Sequence, residues 1–240
     1  MLPTIFKISG TIRKFTPLVE WTFISTAEAA FIAEVSDRDM NRVVDERMLP
    51  ESLARSDDGR FFSPFAAALA RFYFSTEDIY VARLRLWVLG ELTARVEMRK
   101  DRASVSSLDL FPQDFNWQVE VTTNLANVLV DASAAVRAAF ERMCLVREAS
   151  KLASVDLEVM GGIPVFAGSR LPEENLAASL NRGIDKQLLA ESWPFLTEKH
   201  FEAAKVYVRT HPKRGRPRRL AESNPDWKIL NSEVVRLARP

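Results

Sequence analysis

The stretch Met160-Gly161-Gly162-Ile163-Pro164-Val165-Phe166-Ala167-Gly168-Ser169-Arg170-Leu171-Pro172 decides how the rest of the chain is read. Its three glycines and two prolines, set among large apolar residues, suit a tight hairpin opening into a helix and suit a helix interior badly. Beyond it the pattern predicts a helix after Pro172, a stop at Gly183, a short helix after Asp185, a break at Trp193-Pro194 and a third helix after Thr197. Leu176, Ala177 and Leu180 on the first helix, Leu188 and Leu189 on the second, and Phe201, Ala204 and Val208 on the third would close a small core. Such a module is itself helix-turn-helix-like, and apolar spacing leaves open whether it meets DNA or protein. At His211 the packed pattern gives way to a basic tail.

Toward the N-terminus, residues 1–20 alternate enough around Ile5, Ile8 and Ile12 to offer a strand or an arm. Ser25 with Glu28 is a capping-box pattern, and Ala27, Ala30, Phe31 and Val35 follow at helical spacing. Ser36 with Asp39 repeats the pattern a few residues later. The second helix carries Met40, Val43 and Val44 on one side and Arg38, Asn41, Arg42 and Asp45 on the other. After Leu49-Pro50, the run Leu53-Ala54-Arg55, the turn Ser56-Asp57-Asp58-Gly59 and the run Arg60-Phe61-Phe62 read as a hairpin. Ser63 with Pro64 then starts a third helix. Two tightly joined helices followed by a hairpin form a winged helix, similar to DNA-binding heads of the MerR and excisionase type. Arg38, Asn41 and Arg42 would then meet bases or phosphate, and Arg55 and Arg60 of the wing would meet the backbone. Asp37 and Asp39, at the start of the second helix, favour its dipole but repel phosphate, and similar helix pairs also serve domains that bind only protein.

Ser75 with Asp78 is expected to cap the longest helix, running to about Met98, with Ile79, Val81, Leu84, Leu86, Trp87, Leu89, Leu92 and Val96 leaving little polar face. A helix of that kind serves as a dimer interface or as the spine joining head to body. Residues 99–116 read as a linker or loop excursion. Residues 117–121 and 127–130 read as strands, followed by a helix from Ala134 to about Glu148 capped by Asp131 or Ser133.

The chain has 240 residues, 47% hydrophobic and 27% charged, which is enough for one large domain or two to three small ones. Its formal charge of +1 hides segregation: Lys213, Arg214, Arg216, Arg218 and Arg219 stand between His211 and Arg219 without an acid among them. Cys144 is the single cysteine, so no internal disulfide forms, and it is expected in the core. Lys7, Arg13 and Lys14 break up the N-terminal apolar residues and no apolar run is long enough to span a membrane, so a cytoplasmic protein is expected.

The residues Gly161-Gly162-Ile163-Pro164, Gly168-Ser169-Arg170-Leu171-Pro172 and Trp193-Pro194-Phe195-Leu196-Thr197 resemble the signature of a small bacterial helical domain of unknown function, common in antitoxin-like proteins. That family usually has Thr in place of Ser169, Ile in place of Leu171 and Tyr in place of Trp193. With a helix-turn-helix ahead and a basic tail behind, the whole chain resembles a VapB-type antitoxin. The resemblance implies a partner, a VapC-type ribonuclease of the PIN-domain class, and operator DNA bound to repress the chain's own operon. PIN ribonucleases hold Mg²⁺ with clustered carboxylates, and VapB-type tails typically lay a basic side chain into that site.

In the tail, Arg214, Gly215, Arg216, Pro217, Arg218 and Arg219 resemble the core of an AT-hook, which lies extended in a narrow minor groove. The same arginines suit an acidic nuclease site, where a bidentate contact to carboxylates would oppose metal binding. A solvated linker is the plainer alternative. Pro225-Asp226 opens a last amphipathic segment with Trp227, Leu230, Val234 and Leu237, whose stripe needs a groove on its own body, a dimer mate or the toxin.

The expected fold is thus mainly α with short β hairpins. A winged helix-turn-helix head covers residues 1–74, a central helical or dimerisation region 75–152, a three-helix module 153–210 and a basic tail 211–240. A homodimer is expected, since a two-fold protein matches two half-sites. The alternative function is a stand-alone winged-helix regulator with a minor-groove tail. No catalytic residue, cofactor or metal ligand is expected: there is no glycine-rich phosphate loop, the histidines are His200 and His211 alone, and Asp57-Asp58 and Glu173-Glu174 read as turn and helix-start acids.

Overall fold

A computed structural model of the chain describes residues 23–57, 59–109, 115–122 and 126–212. The described chain is mainly helical with small antiparallel sheets. It runs β1 (Ile24–Ser25), α1 (Thr26–Ala33), α2 (Asp37–Asp45), β2 (Ala54–Asp57), β3 (Gly59–Phe62), α3 (Pro64–Ser75), α4 (Ala82–Glu97) and α5 (Arg102–Ser107). There follow β4 (Gln118–Thr122), β5 (Asn127–Asp131), α6 (Ser133–Leu152), β6 (Ala153–Ser154), β7 (Val165–Phe166), α7 (Glu173–Asn181), α8 (Lys186–Ser192) and α9 (Glu198–Thr210). The expected N-terminal strand or arm, and everything in the tail from Lys213 on, lie outside the described residues. Among the described residues no helix is long and apolar enough to cross a membrane.

Local chemistry starts most of these helices where the caps stand. The Ser25 hydroxyl accepts from the Glu28 amide at 3.3 Å while the Glu28 carboxylate accepts from the Ser25 amide at 2.8 Å, a complete capping box for α1. Ser36 accepts from the Asp39 amide at the head of α2 and Ser63, with Pro64 behind it, from the Ala66 amide at the head of α3. Asp185 caps α8, and Gly183 turns the chain with φ +78°. At α9 the Thr197 amide donates to Nδ1 of His200 at 3.1 Å, so that ring nitrogen is the acceptor.

One hydrophobic core runs from Ile24 to Val206 and takes residues from each of the first three intervals predicted above. Its centre is α3, with nine of 12 residues buried, because the alanines between Phe65 and Phe72 let α1, α5 and α6 approach closely. α1, with seven of eight residues buried, packs between α3, α6 and α9. Two arginines fasten this junction. Arg71 meets the Glu34 carboxylate at 2.6 Å and Arg142 meets it at 3.7 Å, while Nε of Arg142 donates to the Phe31 carbonyl at the end of α1 and its guanidinium covers the Phe31 ring. Arg209 adds to the positive field there. The Arg71 hydrogen bond, with Arg142 behind it, holds the Glu34 carboxyl below the usual range; burial pulls Arg142 down.

Several expectations need correction. The segment before α4 starts later than Ser75: α3 runs through Ser75, residues 76–81 form a turn, and α4 begins at Ala82 with no side-chain cap. α6, with 20 residues, is longer than α4 with 16. α4 buries Val88, Leu89, Leu92 and Val96 but exposes Leu86 and Trp87, so within one chain it is not the spine; α3 takes that role. Residues 99–116 contain α5, which seats Val105 and Leu108 against α3, and Arg147 holds its end by donating to the Ser107 and Leu108 carbonyls. In the C-terminal module Leu176, Ala177, Leu189, Phe201 and Ala204 are buried, but Leu188 and Val208 are exposed. The reason is that α9 packs on α6 as well as α7, so the apolar face turns toward the body and not around a free-standing trio.

Candidate functional site

The head presents α2 beside a hairpin. α1 ends with Glu34 in the left-handed region (φ 57°), and α2 begins after Ser36, so the two helices are joined by a very short turn. Met40 and Val43 anchor α2 on the core, which leaves Asp37, Arg38, Asp45 and Glu46 exposed and Asn41 and Arg42 half-buried. The hairpin pairs Arg55 with Phe61 and Ser56 with Arg60, and β3 also pairs with β1. Side chains alternate across a strand, so Arg55 and Arg60 project from opposite faces of this ribbon.

The structure therefore brings together only some of the predicted contact residues. Arg42 lies 2.8 Å from Glu46 and 3.6 Å from Asp39 and covers the Phe74 ring; the Glu46 hydrogen bond raises its pKa further. Arg60 meets Asp45 at 2.6 Å, on the same edge of α2. Arg55 instead lies over the Phe23 ring, 3.9 Å from its centroid. Arg38 is exposed and has no carboxylate partner among the described residues. Acids outnumber bases on this helix, which differs from a uniformly positive groove reader.

A groove of about 710 Å³ separates the end of α2 from the hairpin and is lined by Arg47, Glu51, Arg55 and Ser56 with Val44, Met48 and Leu49. Arg47 was not singled out from the sequence. It follows α2 with φ 50°, and that bend turns it toward the same groove as Arg55. A basic residue just before Met48-Leu49-Pro50, where the helix must stop, was the available signal.

A second feature sits at the base of the C-terminal module. A cleft of about 280 Å³ is lined by Glu28, Ser150, Glu173, Tyr207, Thr210 and His211 over a floor of Val146, Ala149 and Val206. Glu173 opens α7, as a helix-start acid should, yet it is 3% exposed and no donor or cation among the described residues pairs with its carboxyl. Burial raises its pKa to about 7. Burial, with Glu173 and Glu174 nearby, also raises Tyr207, whose ring stacks on His211 with centroids 4.4 Å apart. Among the described residues no group of three or more His, Cys, Asp and Glu is arranged to hold a metal ion. The predicted tail residues Arg214, Gly215, Arg216, Pro217, Arg218, Arg219, Trp227, Leu230 and Val234 lie outside the described residues.

Comparison with known proteins covers both regions. Residues 154–208, from β6 to the last turns of α9, match the family described as protein of unknown function (DUF433). Over 210 residues the chain is 29% identical to the uncharacterized protein y4eO of Sinorhizobium fredii, an alignment that spans 88% of this chain and 90% of that protein. No solved structure matches.

Proposed function

We propose that the chain is an antitoxin that represses its own operon through the head and neutralises a PIN-domain ribonuclease through its C-terminal half. The observation that carries the reading is the order and pairing of the head: α1, a short left-handed turn, α2, then an antiparallel hairpin whose second strand also pairs with β1. We read it as a winged helix-turn-helix, with α2 directed to the major groove and the hairpin to the flanking backbone. The match of residues 154–208 supports the second half, because the same residues carry the resemblance to a domain common in antitoxin-like proteins.

The acids on α2 are compatible with this use. Arg42–Glu46 and Arg60–Asp45 are exposed or half-exposed pairs, and such pairs are worth about 0–1 kcal/mol. A phosphate that releases condensed counterions on binding can draw these guanidiniums off their carboxylates at small cost. Arg38, Arg47 and Arg55 then extend the contact along α2 and the groove.

The test is to express the tagged chain with its genomic neighbours, recover it with its partners, and assay the eluate for ribonuclease before and after the chain is stripped off. A nuclease active only once freed supports the antitoxin reading. Recovery of the chain alone, still shifting DNA from its own upstream region, leaves a stand-alone regulator.

A further inference from the structure

α4 has two unlike faces. One seats Val88, Leu89, Leu92 and Val96 in the core, and Arg85 pins the helix by donating to the Tyr73 carbonyl at 2.6 Å while covering the Tyr73 ring. The other carries Arg83, Leu86, Trp87, Gly90, Ala94 and Glu97, which at 100° per residue fall within an arc of about 100°. Trp87 is 60% exposed and Leu86 41%, and the space above Gly90 is open. Ile79 and Val81 before the helix and Met98 after it continue the apolar strip at both ends.

This face is complementary to itself. A two-fold axis passing through Gly90 at right angles to the helix exchanges each residue with the one equally far on the other side. Leu86 then faces Ala94 of the second copy, and Arg83 faces Glu97, twice over. Glu97 is held on this face by the Ser52 hydroxyl at 3.0 Å, and Arg83 has no carboxylate partner among the described residues. Gly90 lets the two backbones approach closely, and the indole of Trp87 on each side, opposite the buried Thr93 of the other helix, lies over its Gly90 and Ala94. Any other register sets Arg83 or Glu97 against an apolar or like-charged neighbour.

We infer that the chain forms an antiparallel homodimer through α4, with Gly90 on the two-fold axis. The proposal supplies the two-fold symmetry that operator binding asks for and rests on that reading only for its purpose. A dimer of this register in a chain that shifts no DNA would sink the reading and leave the interface standing.

The full chain is studied by sedimentation equilibrium, with circular dichroism as the check on folding. A dimer is expected, with Trp87→Glu a folded monomer. Arg83→Glu weakens association by about tenfold or more, since it sets like charges opposite each other, and adding Glu97→Arg restores it. In a Cys144→Ser background, Gly90→Cys links to itself under mild oxidation, because a residue on the axis meets its own copy. A monomeric chain overturns the proposal, as does a dimer in which Gly90→Cys does not crosslink and the charge reversal has no effect.

Discussion

On the head, arginines and acids meet in exposed or half-exposed pairs: Arg42 with Glu46 and Arg60 with Asp45. Of the two glutamates that line the cleft beneath α9, Glu28 is held by its capping box, whereas Glu173 is turned into the protein with no pairing group among the described residues. Both regions hang on the same core, so the difference is not one of stability in the usual sense. The head keeps these pairs in water, where they break and re-form at small cost. The cleft stores one proton-dependent term where water is scarce. Counting charges along the sequence gives no hint of this, since Glu173-Glu174 and Asp37-Arg38-Asp39 look equally like helix-start acids.

The sharpest way to break the comparison is to attack what the two regions share. Phe65 is fully buried in α3 and packs against Trp117 with ring centroids 6.1 Å apart. Phe65→Ala should cost about 3–5 kcal/mol. Because the core is continuous, head and C-terminal module should unfold in one transition, followed by far-ultraviolet circular dichroism and by tryptophan fluorescence in the same urea series. Two separated transitions would divide the chain into independent units and end the argument that they share a core.

Next in size is Glu173. The unfolded side chain titrates near 4.5 and the folded one near 7, so the folded state binds this proton more tightly. The group's stabilising contribution is full below pH 4.5 and is lost as pH rises through 7. The difference between the two values corresponds to about 3 kcal/mol. Glu173→Gln should therefore match the parent at low pH and exceed it at pH above about 8 by up to ~3 kcal/mol, read from denaturation midpoints at each pH. Parallel curves for variant and parent would show that Glu173 finds a partner when ionised.

Much of this fold was legible in advance where short-range chemistry decides. Ser25 and Glu28, Ser36, Ser63-Pro64, Gly183, Asp185 and Thr197 each stand where an element starts or stops, because a cap needs only its own turn. The failures share one physical cause. Ser75 and Asp78 have the spacing of a cap, yet the chain uses Ser75 to finish α3, since burying Phe72 and Tyr73 outweighs one hydroxyl contact. α5 has little intrinsic helical signal and forms on α3 with Arg147 holding its end. Leu188 and Leu189 are equal in sequence, but only Leu189 faces the body. Of the head residues, Arg42 and Arg60 were found together on one edge, while the split of Arg55 to the opposite face required the register. For Arg47 the coming Pro50 marked only that the helix must stop; the left-handed bend that turns the side chain into the groove came from the structure.

A smaller effect tests that legible layer. Ser25→Ala removes the hydroxyl that accepts from the Glu28 amide and donates to its carboxylate. A loss of about 1 kcal/mol is expected, measured by urea denaturation. The Glu28 carboxylate keeps its bond from the Ser25 amide at 2.8 Å, so half of the capping box survives, and an unchanged denaturation midpoint would show that the hydroxyl contributes nothing to the cap.

The smallest expected change in stability is the one with the most to say about the head. Arg60 lies half-exposed against Asp45, so Arg60→Ala should shift stability by no more than about 1 kcal/mol. If the head binds DNA, the same substitution removes one phosphate contact. It should then weaken binding evenly across sequences and lower the salt slope by about one unit. Asp45→Asn separates the two roles further, because it frees Arg60 from its carboxylate without removing the guanidinium and should tighten DNA binding while leaving the fold intact. If Arg60→Ala and Asp45→Asn leave affinity for the upstream DNA unchanged, the pair is a structural clasp between α2 and the hairpin, and the head is a protein-binding surface that keeps its arginines paired.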